Sequence, residues 1–323
     1  LSRKVALIVN PRSHLVARKG ARLEAVARQR PQTPLVHFGG TDRFDADMRD
    51  LLERGHDTFF VEGGDGTVLA VLSSCYNHAP DNLGRLRFGV LPGGSTNLAH
   101  EKLGLKTADT DRVEALAKQF EEGRGAGIET AGQKALIIEA EGHTRAQAGF
   151  VLSTGSLALG MDHVQQHMFG GGRRGGGAVA LSMLKLAARP RSYVAADGAR
   201  LLRPHRLSAD MAGAEAAQSQ YAFTLASTFG SLSLGVSPFW GKGQGAIHFT
   251  TAPWPPHRLR RAILRSALRH NRKSLERSGY QSFNTDALSM RLDGPVMLDG
   301  EMLQRNETAS LHLKASDEIQ WLR

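Results

Sequence analysis

Thr58-Phe59-Phe60-Val61-Glu62-Gly63-Gly64-Asp65-Gly66-Thr67-Val68-Leu69-Ala70-Val71-Leu72 is the stretch on which the fold turns. An apolar run ends in paired glycines and passes directly into a second apolar run, the pattern of a strand, a turn and a helix. In that geometry backbone N–H groups converge on one point at the helix N-terminus and hold a phosphate. An aspartate inside the turn, Asp65, suits a metal-bridged polyphosphate. The same residues also suit an ordinary strand-to-helix turn, since glycine supplies positive φ at little steric cost.

A second segment of the same design tilts the reading. Pro92-Gly93-Gly94-Ser95-Thr96-Asn97 follows its own apolar run, Phe88-Gly89-Val90-Leu91, and a third strand, Val5-Ala6-Leu7-Ile8-Val9, leads into Asn10-Pro11-Arg12-Ser13. Three such loops belong at the carboxyl edge of one parallel sheet, where open α/β sheets bind ligands. Around them the pattern predicts helices over 21–30, 44–54 and 110–122, with strands over 35–38, 58–61 and 88–91. That alternation argues for a parallel sheet with helices on both faces. From 135 onward short strand patterns take over, at 135–139, 148–152, 221–226, 246–250 and 288–292. The expected fold class is therefore α/β plus β: an N-terminal parallel-sheet nucleotide domain over 1–130 and a β-rich sandwich domain over 131–305. A glycine-rich basic run at 169–177 leads into an apolar helix pattern at 178–188 and reads as a linker into a buried helix.

Composition narrows the classes of function. The chain has 323 residues, 41% of them hydrophobic, which suits two globular domains. No run of about 18 apolar residues occurs, so no spanning helix is expected. The first residues enter a strand pattern without a secretory h-region and the only cysteine is Cys75. Both point to a cytoplasmic enzyme and away from a disulfide scaffold. The net charge of +10 suits nucleic acid, acidic substrates or an anionic membrane. With 6% aromatic residues and no zinc, helix-turn-helix or RNP-like pattern, nucleic acid is not expected as a partner. Eight Lys or Arg residues fall between His257 and Arg277 against one acid, Glu276. Leu259, Ile263, Ala267 and Leu268 recur there at helical spacing, which predicts a basic amphipathic helix. It either packs on its own domain or meets an anionic membrane.

Taken in order, Asn10-Pro11-x-Ser13, GGDGT at 63–67, Pro92-Gly93-Gly94-Ser95-Thr96-Asn97 and the late Asp299-Gly300-Glu301 resemble the diacylglycerol kinase catalytic family. These are the lipid kinases that include sphingosine and bacterial diacylglycerol kinases. Residues 150–164 and 221–245 look like that family's second domain, so the resemblance covers nearly the whole chain. NAD kinases share the pentapeptide and phosphofructokinases a close variant, while the second glycine loop and the late DGE point to the lipid kinases. The resemblance implies ATP- and Mg²⁺-dependent phosphoryl transfer to a hydroxyl of a membrane lipid, diacylglycerol-like or a long-chain base, in a site between the two domains. It also implies a lipid substrate met at an anionic membrane surface and a cytoplasmic protein peripheral to the inner face of the membrane. A lid from the region after 169 and a carboxyl-terminal segment, about 306–323, packing back on the first domain follow from it too. Oligomeric state is left open.

Each candidate residue then takes a role. Phosphoryl transfer asks mainly for positioning and charge neutralisation. Asp65 is the expected carboxylate for Mg²⁺, with the amides of Gly63, Gly64 and Gly66 around the phosphates. Thr67 and Ser95 would bond phosphate oxygens, and Asn10, Pro11, Arg12 and Ser13 would approach the adenosine side. No GxxxxGK[ST] and no HRD with DFG occurs, which argues against P-loop and protein-kinase mechanisms. By resemblance Glu301 is the proton acceptor and Asp299 its partner, although DGE by itself also reads as a surface hairpin turn. Glu129 corresponds to an acid that contacts the substrate head group in sphingosine kinases. Asp162, in Leu159-Gly160-Met161-Asp162, matches the family's G-x-D segment or marks a turn.

Three departures set this chain apart from the family pattern. Leu69-Ala70 stands for the usual Asn-Glu after GGDGT, and Leu98 for the usual Asp after the second glycine loop. Lys242-Gly243-Gln244-Gly245 replaces an Asp-rich turn, so an accessory structural Mg²⁺ site is not expected. Two alternatives follow: an NAD-kinase-like small-molecule kinase, or a catalytically weak nucleotide- or lipid-binding member.

Overall fold

The computed structural model describes residues 2–95, 97–170, 182, 185, 192–195, 198–211, 214–215, 219–233, 236–262, 273–305 and 308–323. The glycine-rich run from 171 onward, nearly all of the helix expected at 178–188, Thr96 and residues 263–272 of the basic helix lie outside the described residues. The chain forms two compact units. One comprises Leu1–Ala135, Ala146–Ala148 and Ser316–Arg323, the other Leu136–Arg145 and Gly149–Ala315.

The first unit is a parallel sheet of β1 (Val5–Val9), β2 (Leu35–His37), β3 (Thr58–Gly63) and β4 (Arg87–Pro92), in the order β2-β1-β3-β4. Every residue of β1 and β3 is buried, as expected of parallel strands covered on both faces. Helices α1 (His14–Lys19) and α2 (Arg22–Gln29) follow β1; α3 (Thr41–Glu53) precedes β3; α4 (Asp65–His78) and α5 (Leu98–Leu103) leave the two glycine loops; and α6 (Thr110–Glu121) closes the unit. Val5, Leu7 and Val9 pack in one core with Leu23 and Val26 of α2 and with Val113, Leu116, Ala117 and Phe120 of α6. The α6 positions recur at i, i+3, i+4 and i+7, one helical face, and Asp109 caps the helix by accepting from Arg112 N–H at 2.7 Å. Strand β3 runs two residues past its apolar run because pairing with β4 continues to Gly63 opposite Pro92. The first part of strand β5 (Thr130–Ala140), up to Ala135, most of the short β6 (Gln147–Gly149) and residues 316–323 complete the unit. Gln320 and Trp321 lie parallel to Arg87 and Phe88, and Trp321 packs on the Phe88 ring at 5.2 Å.

The second unit is β-rich. Its elements are β7 (Val151–Gly155), α7 (Ser156–Gly170), β8 (His205–Met211), β9 (Ala214–Glu215), β10 (Ser219–Ser227), β11 (Ile247–Pro253), β12 (Gln281–Thr285), β13 (Ala287–Asp293), β14 (Val296–Leu298), β15 (Glu301–Gln304) and the first part of β16 (Thr308–Leu322). Pairing is antiparallel and branches at β10, which meets β11 along one edge and β7 and β8 along the other. In β13, Leu288, Met290 and Leu292 are buried and their neighbours are not, the period of two that made this strand readable. The strand expected over 148–152 is instead β6 and β7, broken at Phe150, whose amide turns to a carboxylate of a distant loop. Leu159 to Asp162 is helical, not a turn. Burial of Ala158, Leu159 and Val164 in α7 outweighs the roughly 1 kcal/mol that Gly160 costs inside a helix.

Candidate active site

At the carboxyl ends of β1, β3 and β4 the three predicted loops come together. Asn10 continues β1, its amide donating to Glu62 O at 2.9 Å. Its side chain then does two things. Oδ1 accepts from Arg12 N–H at 3.0 Å, turning the chain, and Nδ2 donates to Thr67 Oγ1 at 2.9 Å. Ser13 stands at the N-cap of α1 without capping it; its Oγ accepts from Gly64 N–H at 3.2 Å. Pro11 and Arg12 are exposed beside them.

The two glycine pairs interlock. Gly93 N–H donates to Gly63 O at 2.9 Å. A β-carbon on Gly93 would lie 2.7 Å from Gly63 Cα, and one on Gly94 would lie 2.5 Å from Gly64 Cα. Neither pair has positive φ, so the need for glycine here is close backbone approach and not the turn conformation the sequence suggested. The left-handed position in this region belongs to Asn97, at φ 53°, whose side chain is tied both ways to Gly94, Oδ1 accepting from its N–H and Nδ2 donating to its carbonyl.

Helix α4 starts at Asp65 in the middle of this arrangement, so a 14-residue helix dipole points its positive end at the loops. Asp65 Oδ1 accepts from Ala99 N–H at 2.9 Å, which caps α5 from outside. Gly66 is half-buried in the first turn of α4 and Thr67 is buried, its hydroxyl already engaged by Asn10. Ser95 is half-buried on the second loop. Leu69, in place of the family's Asn, is 7% exposed on a helix with buried residues around most of its circumference, so an apolar side chain is what that position accommodates.

A brace that sequence reasoning missed holds the loops from behind. Glu62, 1% exposed at the end of β3, receives Arg22 Nε at 2.7 Å and Leu23 N–H at 2.9 Å. The same guanidinium donates to the carbonyls of Pro92 and Ala108. Arg22 thus ties the residue before the first glycine pair to the residue before the second. An acid directly preceding Gly63 was the available signal.

Glu129 is exposed and paired: Lys106 Nζ contacts both its oxygens, at 2.7 and 2.8 Å, and that cation holds the carboxyl below its ordinary range. In the second unit Asp299 and Gly300 form the two-residue link between β14 and β15, with φ 47° and 90°. This is the hairpin turn that DGE by itself suggests, Asp-Gly being the favoured pair where both central residues need positive φ. Its Asp299 carboxylate accepts from the amides of Phe150 (2.9 Å) and Val151 (2.8 Å), while Asp299 N–H donates to Val151 O. Gln165 of α7 donates to Gly300 O at 3.0 Å. Glu301, first residue of β15, is exposed. Asp162 of α7 is bound by Arg305 and Gln166.

Among the described residues no group of three or more His, Cys, Asp and Glu gathers as a metal site. Asp65 is the carboxylate at the glycine loops, which fits Mg²⁺ as this ion is commonly held, by one or two carboxylates with phosphate oxygens and water completing the shell.

The chain thus joins an α/β unit with a backbone cradle at its strand ends to a β-rich unit. Residues 4–125, under half of the chain, match the model of the diacylglycerol kinase catalytic domain. No curated protein sequence matches the chain. Among solved structures, a candidate diacylglycerol kinase from Bacillus anthracis str. Sterne is similar over 99% of this chain and 97% of its own, at TM-score 0.61 and 14% identity. Another structure, described as a diacylglycerol kinase from the same organism, gives 0.57 at 12% identity over 99% and 97%. Yeast NADH kinase complexed with NADH gives 0.53 at 9% identity over 100% and 84%. At these identities the likeness is one of fold. The domain match over residues 4–125 points the same way, towards the kinases that share this fold.

Proposed function

We propose that the chain is an ATP- and Mg²⁺-dependent lipid kinase that phosphorylates a hydroxyl of a diacylglycerol-like lipid or long-chain base. The observation that carries the reading is the pair of interlocked glycine loops at the N-terminus of α4, a phosphate-sized patch of backbone set beside one carboxylate. The amides of the first turn of α4 and of the second loop receive the phosphate oxygens, with Ser95 beside them. Asp65 holds Mg²⁺, which when bound neutralises charge shared between neighbouring phosphate groups. Glu301 takes the proton of the acceptor hydroxyl as its oxygen bonds to the γ-phosphorus; the bond to the β–γ bridging oxygen breaks and ADP leaves. Asp299, its oxygens bound to two amides, holds the turn on which Glu301 stands and takes no proton itself.

The lipid acceptor draws on the domain family and on DGE in its place after the glycine loops. A small-molecule kinase acting on a dinucleotide is the second reading, favoured by the fold likeness to yeast NADH kinase. Purified protein incubated with γ-labelled ATP and either a total lipid extract or NAD separates the two. Labelled organic-phase lipid is expected, reduced about 10²- to 10⁴-fold in Glu301→Gln as befits loss of a general base, with nucleotide affinity unchanged. Labelled NADP, or lipid labelling indifferent to Glu301→Gln, overturns the reading.

A further inference from the structure

A second feature lies wholly within the β-rich unit. Next to Trp254 opens a groove of about 980 Å³ whose rim carries Arg200, Arg258, Arg260 and Arg261. Its floor is apolar, with Leu202, Trp254 and Leu259, and no acidic residue lines it. All four arginines are exposed, and among the described residues none of their guanidinium groups forms an ion pair. Trp254 packs with its inner side on the core of Ala222, Ala252, Leu275 and Tyr280, so the groove floor is anchored. Arg258 stands in the left-handed region at φ 51°, a conformation that costs an arginine on the order of 1 kcal/mol or more. Val194 bridges directly to Arg200 and is 53% exposed, a large apolar side chain presented beside a cation. A second hollow of about 480 Å³ on Trp254 and Arg258 adds His257 and Arg277.

We propose that this groove is the docking surface for an anionic bilayer, its arginines taking phospholipid head-group phosphates while Val194 and the groove floor meet the acyl boundary. Charge complementarity argues for an anionic occupant: guanidinium groups match phosphate geometry and, among the described residues, have no ion-pair partner to give up. The apolar floor argues for a membrane over a nucleic acid, which would ask for a run of stacking aromatics where the groove has only Trp254. The basic sequence of 257–277 continues the same charge. The surface deepens the lipid-kinase reading by supplying the place where such an enzyme meets its substrate, yet it is testable without turnover.

Sedimentation with vesicles of phosphatidylcholine and phosphatidylglycerol, against phosphatidylcholine alone and without nucleotide, is the experiment. Binding is expected only to the anionic vesicles and is expected to weaken with salt, since the attraction is screened over about 8 Å at physiological ionic strength. Each groove arginine contributes about fivefold, so Arg200→Ala with Arg260→Ala lowers partitioning about 25-fold. Arg49→Ala with Arg54→Ala, the same charge loss at exposed positions in α3 and at its C-cap, leaves it unchanged, and melting curves of both double variants match the parent. Equal binding to neutral vesicles, equal loss in both double variants, or groove variants that keep vesicle binding while losing retention on single-stranded nucleic acid each overturn the proposal. Glu301→Gln is expected to bind vesicles like the parent. For the parent protein, absence of lipid labelling with intact vesicle binding counts against the kinase reading, and intact labelling of detergent-dispersed lipid with no vesicle binding counts against the groove.

Discussion

Asp299 shows how one residue divides labour with its neighbour. Its carboxylate accepts from the amides of Phe150 and Val151, and its own amide donates to Val151 O. It also occupies a left-handed conformation that Asp and Asn tolerate better than other non-glycine residues. A group so engaged positions Glu301 without competing for the proton. Asp299→Asn keeps the turn preference and one acceptor oxygen, whereas Asp299→Ala strands two amides. Chemical denaturation should show the alanine variant less stable by about 1–3 kcal/mol and the asparagine variant losing clearly less, the order expected for unsatisfied buried donors. Equal losses would mean that the turn conformation, and not the clasp, sets the stability.

At the scale of elements, the Arg22–Glu62 brace joins α2 to the ends of β3 and β4. Glu62 is almost wholly buried while the Arg22 side chain is 32% exposed, so the pair is only partly screened by water. Arg22→Ala leaves a buried carboxylate unpaired and should cost about 3 kcal/mol, the low end for such losses because water reaches the site. Arg22→Ala with Glu62→Gln should recover part of that stability while nucleotide affinity stays weakened, since the tie to Pro92 is gone in both. Full recovery of affinity in the double variant would remove the brace from the site. Strands β1, β3 and β4 and both glycine loops were legible in the sequence because doubly covered parallel strands appear as unbroken apolar runs with consecutive glycines behind them. Glu62 was not, since an acid at the end of an apolar run reads as the point where a strand surfaces. Strands of three or four residues such as β14 and β15 carry too little period to see, and their pairing is set by β7 and by Asp299. The DGE motif was legible as a motif, while the clasp that holds it depends on Phe150, far away in sequence.

For the whole molecule, half-buried histidines in both units contribute to the response to mild acid. Burial is the leading cause that lowers the pKa of His56, His100 and His205; Lys4 and Arg54, Arg22, and Arg203 respectively add to it, while Asp57 and Asp293 oppose it at His56 and His205. His100 Nε2 and His205 Nε2 are buried without a hydrogen-bond partner among the described residues. An unfolded histidine binds its proton near 6.5 and these folded ones only below that, so their contribution to stability is complete above about 6.5 and is lost as pH falls through the lower folded values. The melting temperature should be flat above neutrality and drop on mild acidification, with His100→Gln flattening part of the drop; a rise on acidification would refute the assignment. The glycine pairs carry a different consequence for the molecule at work. Because Gly63-Gly64 and Gly93-Gly94 touch backbone to backbone, each glycine pair is steadied by the other before a ligand arrives. A nucleotide meets a surface already in its bound shape and loses little affinity to ordering it, so its capture should be limited by encounter in solution and show a single kinetic phase.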